Sequence, residues 1–189
     1  MREFQPDYTN MIKAARNVEV KRFPLYEHKV DPKVMEQITG VAFADLYNGD
    51  DRDLDEFFRN YCGFYRDMGY DTVSFEEPIG PAMPGSGALG EHVKGVIQTR
   101  EDFERYPWDG ICDTYFQMYH RSFEALRRNM PEGMKAIGGV GYGIFECVQD
   151  LVGYEDLCYM RVDDEELYHD MFFKIGESNL KIWKRFLQE

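Results

Sequence analysis

The chain has 189 residues, of which 43% are hydrophobic and 15% aromatic, enough apolar material for a core and evidence against wholesale disorder. Its 35 acidic residues outweigh 22 lysines and arginines, giving a formal charge of −13, and no basic stripe with interleaved aromatics occurs, so nucleic acid is an unsuitable partner. No run of about 18 apolar residues is present, which excludes a transmembrane helix. The first residues, Met1 to Pro6, lack the apolar stretch of a secretory signal, and four scattered cysteines then read as reduced thiols in the cytoplasm.

In chain order, Thr9 to Asn17 predicts a short helix capped at Thr9 or Asn10, with Met11, Ile12, Ala14 and Ala15 apolar. Phe23 to His28 is an aromatic and apolar run that predicts a strand. Asp31-Pro32 then opens a helix carrying Val34, Met35 and Ile38 and ending near Gly40. From Asp53 to Met68 the residues Leu54, Phe57, Phe58, Tyr61, Phe64, Tyr65 and Met68 recur at three and four, an amphipathic helix stopped by Gly69. Tyr70 to Phe75 predicts a strand ending at Glu76-Glu77-Pro78. The glycine- and proline-rich loop from Pro78 to Gly90 has no charge before Glu91, which fits a loop lining a cavity.

Val93 to Gln98 predicts a further strand, and Thr99 with Asp102 a capping pair for a helix ending before Pro107. A long helix from about Asp109 to Asn129 places Tyr115, Met118, Tyr119, Ser122, Phe123 and Leu126 on one side. Lys135 to Val140 predicts a strand, and Gly141-Tyr142-Gly143 leads into a helix at Ile144 that Gly153 breaks. Tyr154 to Met160 forms the next helix, and Asp163 caps the last, which runs to Glu189. No repeat, low-complexity tract or linker interrupts this order, so residues 1–189 read as a single domain. Alternating strands and helices predict an α/β fold with a parallel sheet.

Three segments together resemble the uroporphyrinogen decarboxylase-like superfamily of (β/α)₈ barrels. Arg22-Phe23-Pro24-Leu25-Tyr26-Glu27-His28 is similar to the family's first barrel strand. Gly69 to Glu77 is similar to its second strand, which ends in an acid. Ile137 to Glu146, followed by Asp150-Leu151-Val152-Gly153-Tyr154-Glu155-Asp156-Leu157, is similar to its glycine-led turn into paired helices. Asp163 to Leu167 also looks like the family's Asp-Pro-Glu helix start, without the proline. A closed barrel needs roughly 250 residues. The resemblance therefore implies a truncated TIM barrel: its N-terminal portion, with parallel strands and outer helices.

The family includes decarboxylases of uroporphyrinogen and methyltransferases acting with corrinoid (cobalamin) proteins. The decarboxylases follow the first strand with two arginines that hold the substrate's carboxylates. Here that position reads Glu27-His28-Lys29-Val30-Asp31-Pro32, without arginine, and a polyanion needs several charge-assisted contacts. The family's aspartate for the pyrrole N–H groups has Glu76 or Glu77 in its place. Its later tyrosine falls near Cys147, with Tyr142 the nearest alternative. The resemblance therefore implies part of a corrinoid-dependent methyltransferase. In that branch zinc, held by a His-x-Cys pair and a distant cysteine, activates an acceptor thiol. Those ligands belong to the other half of such barrels, so no metal or cofactor is expected from these residues. The alternatives are a decarboxylase of a tetrapyrrole or smaller carboxylated substrate, and a non-catalytic module that binds a corrinoid protein.

Active sites of such barrels lie at the carboxyl ends of the strands. His28, after the first strand, is a candidate acid/base or hydrogen-bonding residue; the alternative is an exposed loop histidine paired with Glu27. Of Glu76 and Glu77, alternation sends one inward, and Pro78 at the strand end favours Glu77 as catalytic and Glu76 as substrate-binding. Gly139, Gly141 and Gly143 surround a helix start and serve either anion binding or close packing. Tyr142, Phe145, Glu146 and Gly141 are the remaining candidates for substrate binding, although Phe145 also suits the core and Glu146 the helix dipole. His92, His120 and His169 read as surface residues. The expected partners are a small-molecule substrate or a corrinoid protein, together with a second copy of the chain or a complementary barrel half.

Overall fold

A computed structural model describes residues 4–90 and 93–187. Glu91 and His92 thus lie outside the described residues, as do Gln188 and Glu189 of the last expected helix. In chain order the helices are α1 (Thr9–Ala15), α2 (Pro32–Thr39), α3 (Asp51–Asp67), α4 (Arg100–Arg105), α5 (Ile111–Asn129), α6 (Ile144–Val152), α7 (Tyr154–Asp163) and α8 (Glu165–Phe186). The described strands are β1 (Thr72–Ser74) and β2 (Lys135–Ile137), which pair in parallel with Val73 opposite Ala136. Helix occupies 60% of the chain and strand 3%, which overturns the expected α/β barrel: among the described residues the protein is mostly helical, with one two-stranded parallel sheet and no barrel.

Two of the four expected strands fail for different reasons. Phe23 to His28 is not a strand, because no neighbouring strand pairs with it among the described residues. A run of apolar residues favours extended backbone, but a strand exists only as a ladder with a partner. Phe23 is instead 87% exposed. Val93 to Gln98 loses its ladder to a helix end. The Gly95 and Ile97 amides donate to the carbonyls of Val152 and Leu151 at 2.9 and 3.0 Å, and the Gln98 side-chain amide reaches Val152 O at 2.7 Å. These bonds satisfy the last carbonyls of α6, which no intrahelical donor can reach.

The chain divides into two compact units, each made of two stretches. The first comprises Met1–Phe75 and His120–Gly138. Asp31 caps α2 by accepting the Lys33 amide at 2.7 Å, Pro32 fills the first turn, and Gly40 leaves the helix at φ 73°. Asp50, three residues before the expected start, caps α3 together with Asp53. The apolar stripe of α3 buries Leu54, Phe57, Phe58, Tyr61, Phe64 and Tyr65 in a core completed by Met35, Phe43, Val73, Ala125, Leu126 and Met134. Phe58, Tyr61 and Phe75 meet edge to face, and the Tyr61 hydroxyl donates to Ser74 O at 2.7 Å, tying α3 to β1. Ahead of β1, the buried Asp71 accepts the Asp7 amide and the Asn10 side-chain amide and is ion-paired with Arg22.

The second unit comprises Glu76–Tyr119 and Gly139–Glu189. Helices α6, α7 and α8 pack on one another around Val148, Leu151, Leu157, Leu167, Met171 and Ile175. Thr99 and Asp102 form the expected cap of α4, whereas α8 takes Asp164, one residue later than expected, as its cap. The uncharged loop after Pro78 packs inward, burying Ile79, Ala82, Met83 and Ala88.

Burial pushes the Cys62 thiol up to about 12, and burial with the nearby Asp150 and Glu146 charges does the same for Cys147. Each folded-state thiol keeps its proton above the ordinary value of 9.0. The stability this contributes is complete below pH 9 and is lost as the pH rises toward 12. Urea midpoints measured across that range should fall steadily. At pH 8 a thiol reagent should label the exposed Cys158 in the folded protein and reach Cys62 and Cys147 only on unfolding.

Candidate functional site

The chain leaves β1 through Phe75 into Glu76-Glu77-Pro78, and leaves β2 through Gly138 into Gly139–Gly143. Within the second unit these two exits lie side by side, because the Ile79 amide donates to Val140 O at 2.8 Å. Gly141, at φ 73°, lets the turn close on its neighbour: a Cβ there would sit 2.8 Å from Pro78 Cα. The Glu76 carboxylate lies over Gly139, again where a side chain would stand.

Two tyrosines of α5 fasten this pair of loops. The Tyr115 hydroxyl donates to Glu77 O at 2.9 Å and to Gly139 O at 3.3 Å, bridging both exits, and the Tyr119 hydroxyl donates to Pro78 O at 3.2 Å. Burial followed by the charge of Glu77 raises both phenols, Tyr119 to about 12. Glu77 is itself buried, while Glu76 is half-buried. From the sequence alone both tyrosines belong to one packing side of the helix, with no further part. Their signal was the hydroxyl, since a buried tyrosine on an apolar stripe needs an acceptor.

Tyr142 is half-buried, with its ring edge against Gly80; a Cβ on Gly80 would meet it at 2.9 Å. Asp150 on α6 reaches the same place. Its Oδ1 accepts the Gly87 and Leu89 amides at 2.9 and 2.8 Å, and its Oδ2 faces Gly80. In the sequence Asp150 stands out only within the segment from Asp150 to Leu157. Its signal is a charged residue on the buried side of α6, between Cys147 and Leu151.

The other candidates take different places. The Glu146 carboxylate accepts the Gly143 amide at 2.6 Å and so caps its own helix. Phe145 is exposed, tilted against Phe172 at 6.2 Å between ring centres. His28 belongs to the first unit, where it is exposed and its Nδ1 lies 3.0 Å from the Tyr26 hydroxyl. The residues around it, Leu25, Glu27, Lys29 and Val30, help line an apolar groove of about 550 Å³ with Val34, Ile38 and Phe64. His120 and His169 are exposed.

The second unit thus brings together Glu76, Glu77, Gly141 and Tyr142, and adds Tyr115, Tyr119 and Asp150. Chemically this is a set of hydrogen-bond acceptors and aromatic surface. Among the described residues no three His, Cys, Asp or Glu side chains come together as metal ligands, and no helix is long and apolar enough to cross a membrane. Comparisons with protein-family models, with curated proteins and with solved structures give no match to this chain.

Proposed function

We propose that the chain is a uroporphyrinogen decarboxylase-like protein and forms part of a cytoplasmic, corrinoid-dependent methyltransferase, in which the loops after β1 and β2 bind the corrinoid. The observation that carries this reading is the adjacency of Glu76–Pro78 and Gly139–Tyr142, bridged by the Tyr115 hydroxyl. Both loops come from the segments that resemble the family. A third such segment is linked to the second within the first unit, where Arg22 is ion-paired with Asp71. Ligands of open parallel sheets bind beyond the carboxyl ends of the strands, which is where these loops begin.

The chemistry of the loops favours a corrinoid over a tetrapyrrole polyacid. The corrin rim is fringed with primary carboxamides, whose N–H groups suit the Glu76 and Glu77 carboxylates and the tyrosine oxygens. Uroporphyrinogen would instead bring its carboxylates against Glu77 and Asp150, both buried and acidic. When bound, a methylcorrinoid supplies the methyl group. The residues present position the ring and exclude water.

Titration of the full chain with methylcobalamin, followed by quenching of Trp108 and Trp183, tests the reading. Saturable binding is expected, weakened about tenfold by Glu77→Gln, the loss expected for one hydrogen bond to a charged group. Absence of quenching, or an unaltered affinity in the variant, would count against it.

A further inference from the structure

Helix α8 carries two apolar faces. The first, with Leu167, Met171, Ile175 and Ile182, is buried in the second unit. The second, with Phe173, Leu180, Trp183 and Leu187, faces solvent; Phe173 is 69% and Leu187 85% exposed. Helical spacing sets these four on one stripe, about 21 Å long at 1.5 Å per residue. Gly176 lies on the same stripe, and a Cβ there would stand 3.6 Å from Ile144 Cδ1, so the exposed Ile144 of α6 extends it sideways. Scattered apolar residues on a surface are ordinary. An aligned set on the order of 500 Å² is not, and marks an interaction site. The stems of Glu177 and Lys184 along its edge widen it toward the ~800 Å² per partner of a stable complex.

We infer that this stripe is a dimer interface, in which α8 pairs antiparallel with α8 of a second copy of the chain about a twofold axis between Leu180 and Trp183. The charges beside the stripe select that occupant. Glu177 and Lys184 lie on one edge, two helical turns apart; Lys184 has no ion-pair partner among the described residues, and Glu177 stays exposed beside Lys174. Antiparallel pairing brings each Glu177 to the second copy's Lys184, and the contact repeats across the axis as a twofold interface requires. The same register sets Leu180 against the second copy's Trp183, and Leu187 over its Gly176, where the stripe has no side chain to displace. An anionic membrane is the other surface that takes an apolar helix face, but it needs a free basic flank. Here Lys174, Lys181 and Arg185 are already paired with Glu177, Asp109 and Asp113, which leaves Lys184. The interface belongs to the second unit and does not rest on the corrinoid reading.

Sedimentation of the full chain tests it. At about 100 µM a dimer of the 22.3 kDa chain is expected, since interfaces of roughly this size give micromolar dissociation constants or tighter. Trp108 is buried within each copy, so a blue shift of tryptophan emission with rising concentration reports the covering of Trp183. Leu180→Glu sets two carboxylates at the axis and should weaken the dimer about a hundredfold. Because Leu180 is exposed, the circular dichroism and urea midpoint of that variant should match those of the parent at a concentration where both are monomeric. Glu177→Lys or Lys184→Glu alone should weaken the dimer about tenfold, and the double exchange should restore it. A monomer at that concentration overturns the inference, as does a dimer that L180E leaves intact or a double exchange no better than the single ones. A chain that stays monomeric and whose Trp183 emission shifts only with phosphatidylserine vesicles also overturns it, in favour of a membrane surface. The emission shift needs no variant, so the inference stays testable if L180E fails to fold.

Discussion

Replacing Asp71 by alanine should destabilise the protein by about 3–5 kcal/mol, the range found when one partner of a buried ion pair is removed. Asp71 is fully buried at the entrance to β1. It accepts the Asp7 amide at 2.6 Å and the Asn10 side-chain amide at 3.5 Å, and it pairs with the Arg22 guanidinium. Alanine would leave three donors without an acceptor, all of them on the segment before α2. Within that segment α1 buries only Asn10, and the Tyr8 amide donates to Gly133 O at 2.9 Å. Urea unfolding gives the energy, and trypsin gives the location: in the variant, cleavage should accelerate at Lys13, Arg16, Lys21 and Arg22 before it does elsewhere. Arg22→Ala should cost less, because that side chain is 36% exposed and its loss leaves Asp71 with two donors.

Gly153→Ala should cost about 3 kcal/mol or more, with effects confined to the second unit. Gly153 sits at φ 90° and ψ 146°, a region essentially reserved for glycine, where strain alone costs about 1–3 kcal/mol. A Cβ there would also stand 2.6 Å from Val93 O, which is backbone and cannot swing aside. The residue does two things at once. It ends α6 and opens α7, and it leaves room for the 93–97 segment that caps α6. Alanine should therefore expose the α6 end, read as faster exchange at the Gly95 and Ile97 amides. For a chain of this length the melting temperature should drop by roughly 6–12 °C.

What could be read from the residues was what short-range chemistry decides. Asp31-Pro32 with Gly40, the Thr99–Asp102 pair and the Gly69 and Gly153 stops all appear within a residue or two of their expected places. The α3 stripe was equally plain, because seven apolar residues at helical spacing admit no other partner-free arrangement. Strand pairing is not a short-range property. Phe23 to His28 and Val93 to Gln98 have the composition of strands, but the first finds no ladder and the second gives its amides to α6. The barrel follows from a resemblance that supposes those ladders, and without them β1 and β2 are the pair that remains among the described residues.

The candidate site divides in the same way. Glu77, Glu76, Gly141 and Tyr142 were legible because each flanks a strand exit or a glycine turn. Tyr115 and Tyr119 were hidden by a helical stripe that explains their rings but not their hydroxyls. Asp150 was hidden because its loop partners lie more than sixty residues away in sequence. His28 is a candidate through its place after an expected first strand, and residues 23–28 form no strand.

The loops after β1 and β2 are proposed to form one site for a corrinoid. Titration of the ¹⁵N-labelled chain with hydroxocobalamin, and separately with uroporphyrinogen, decides whether they do. Amides of residues 76–79 and 139–143 should shift together with the corrinoid and remain in place with the polycarboxylate. Shifts produced by uroporphyrinogen instead, or corrinoid shifts that bypass both loops, would contradict it.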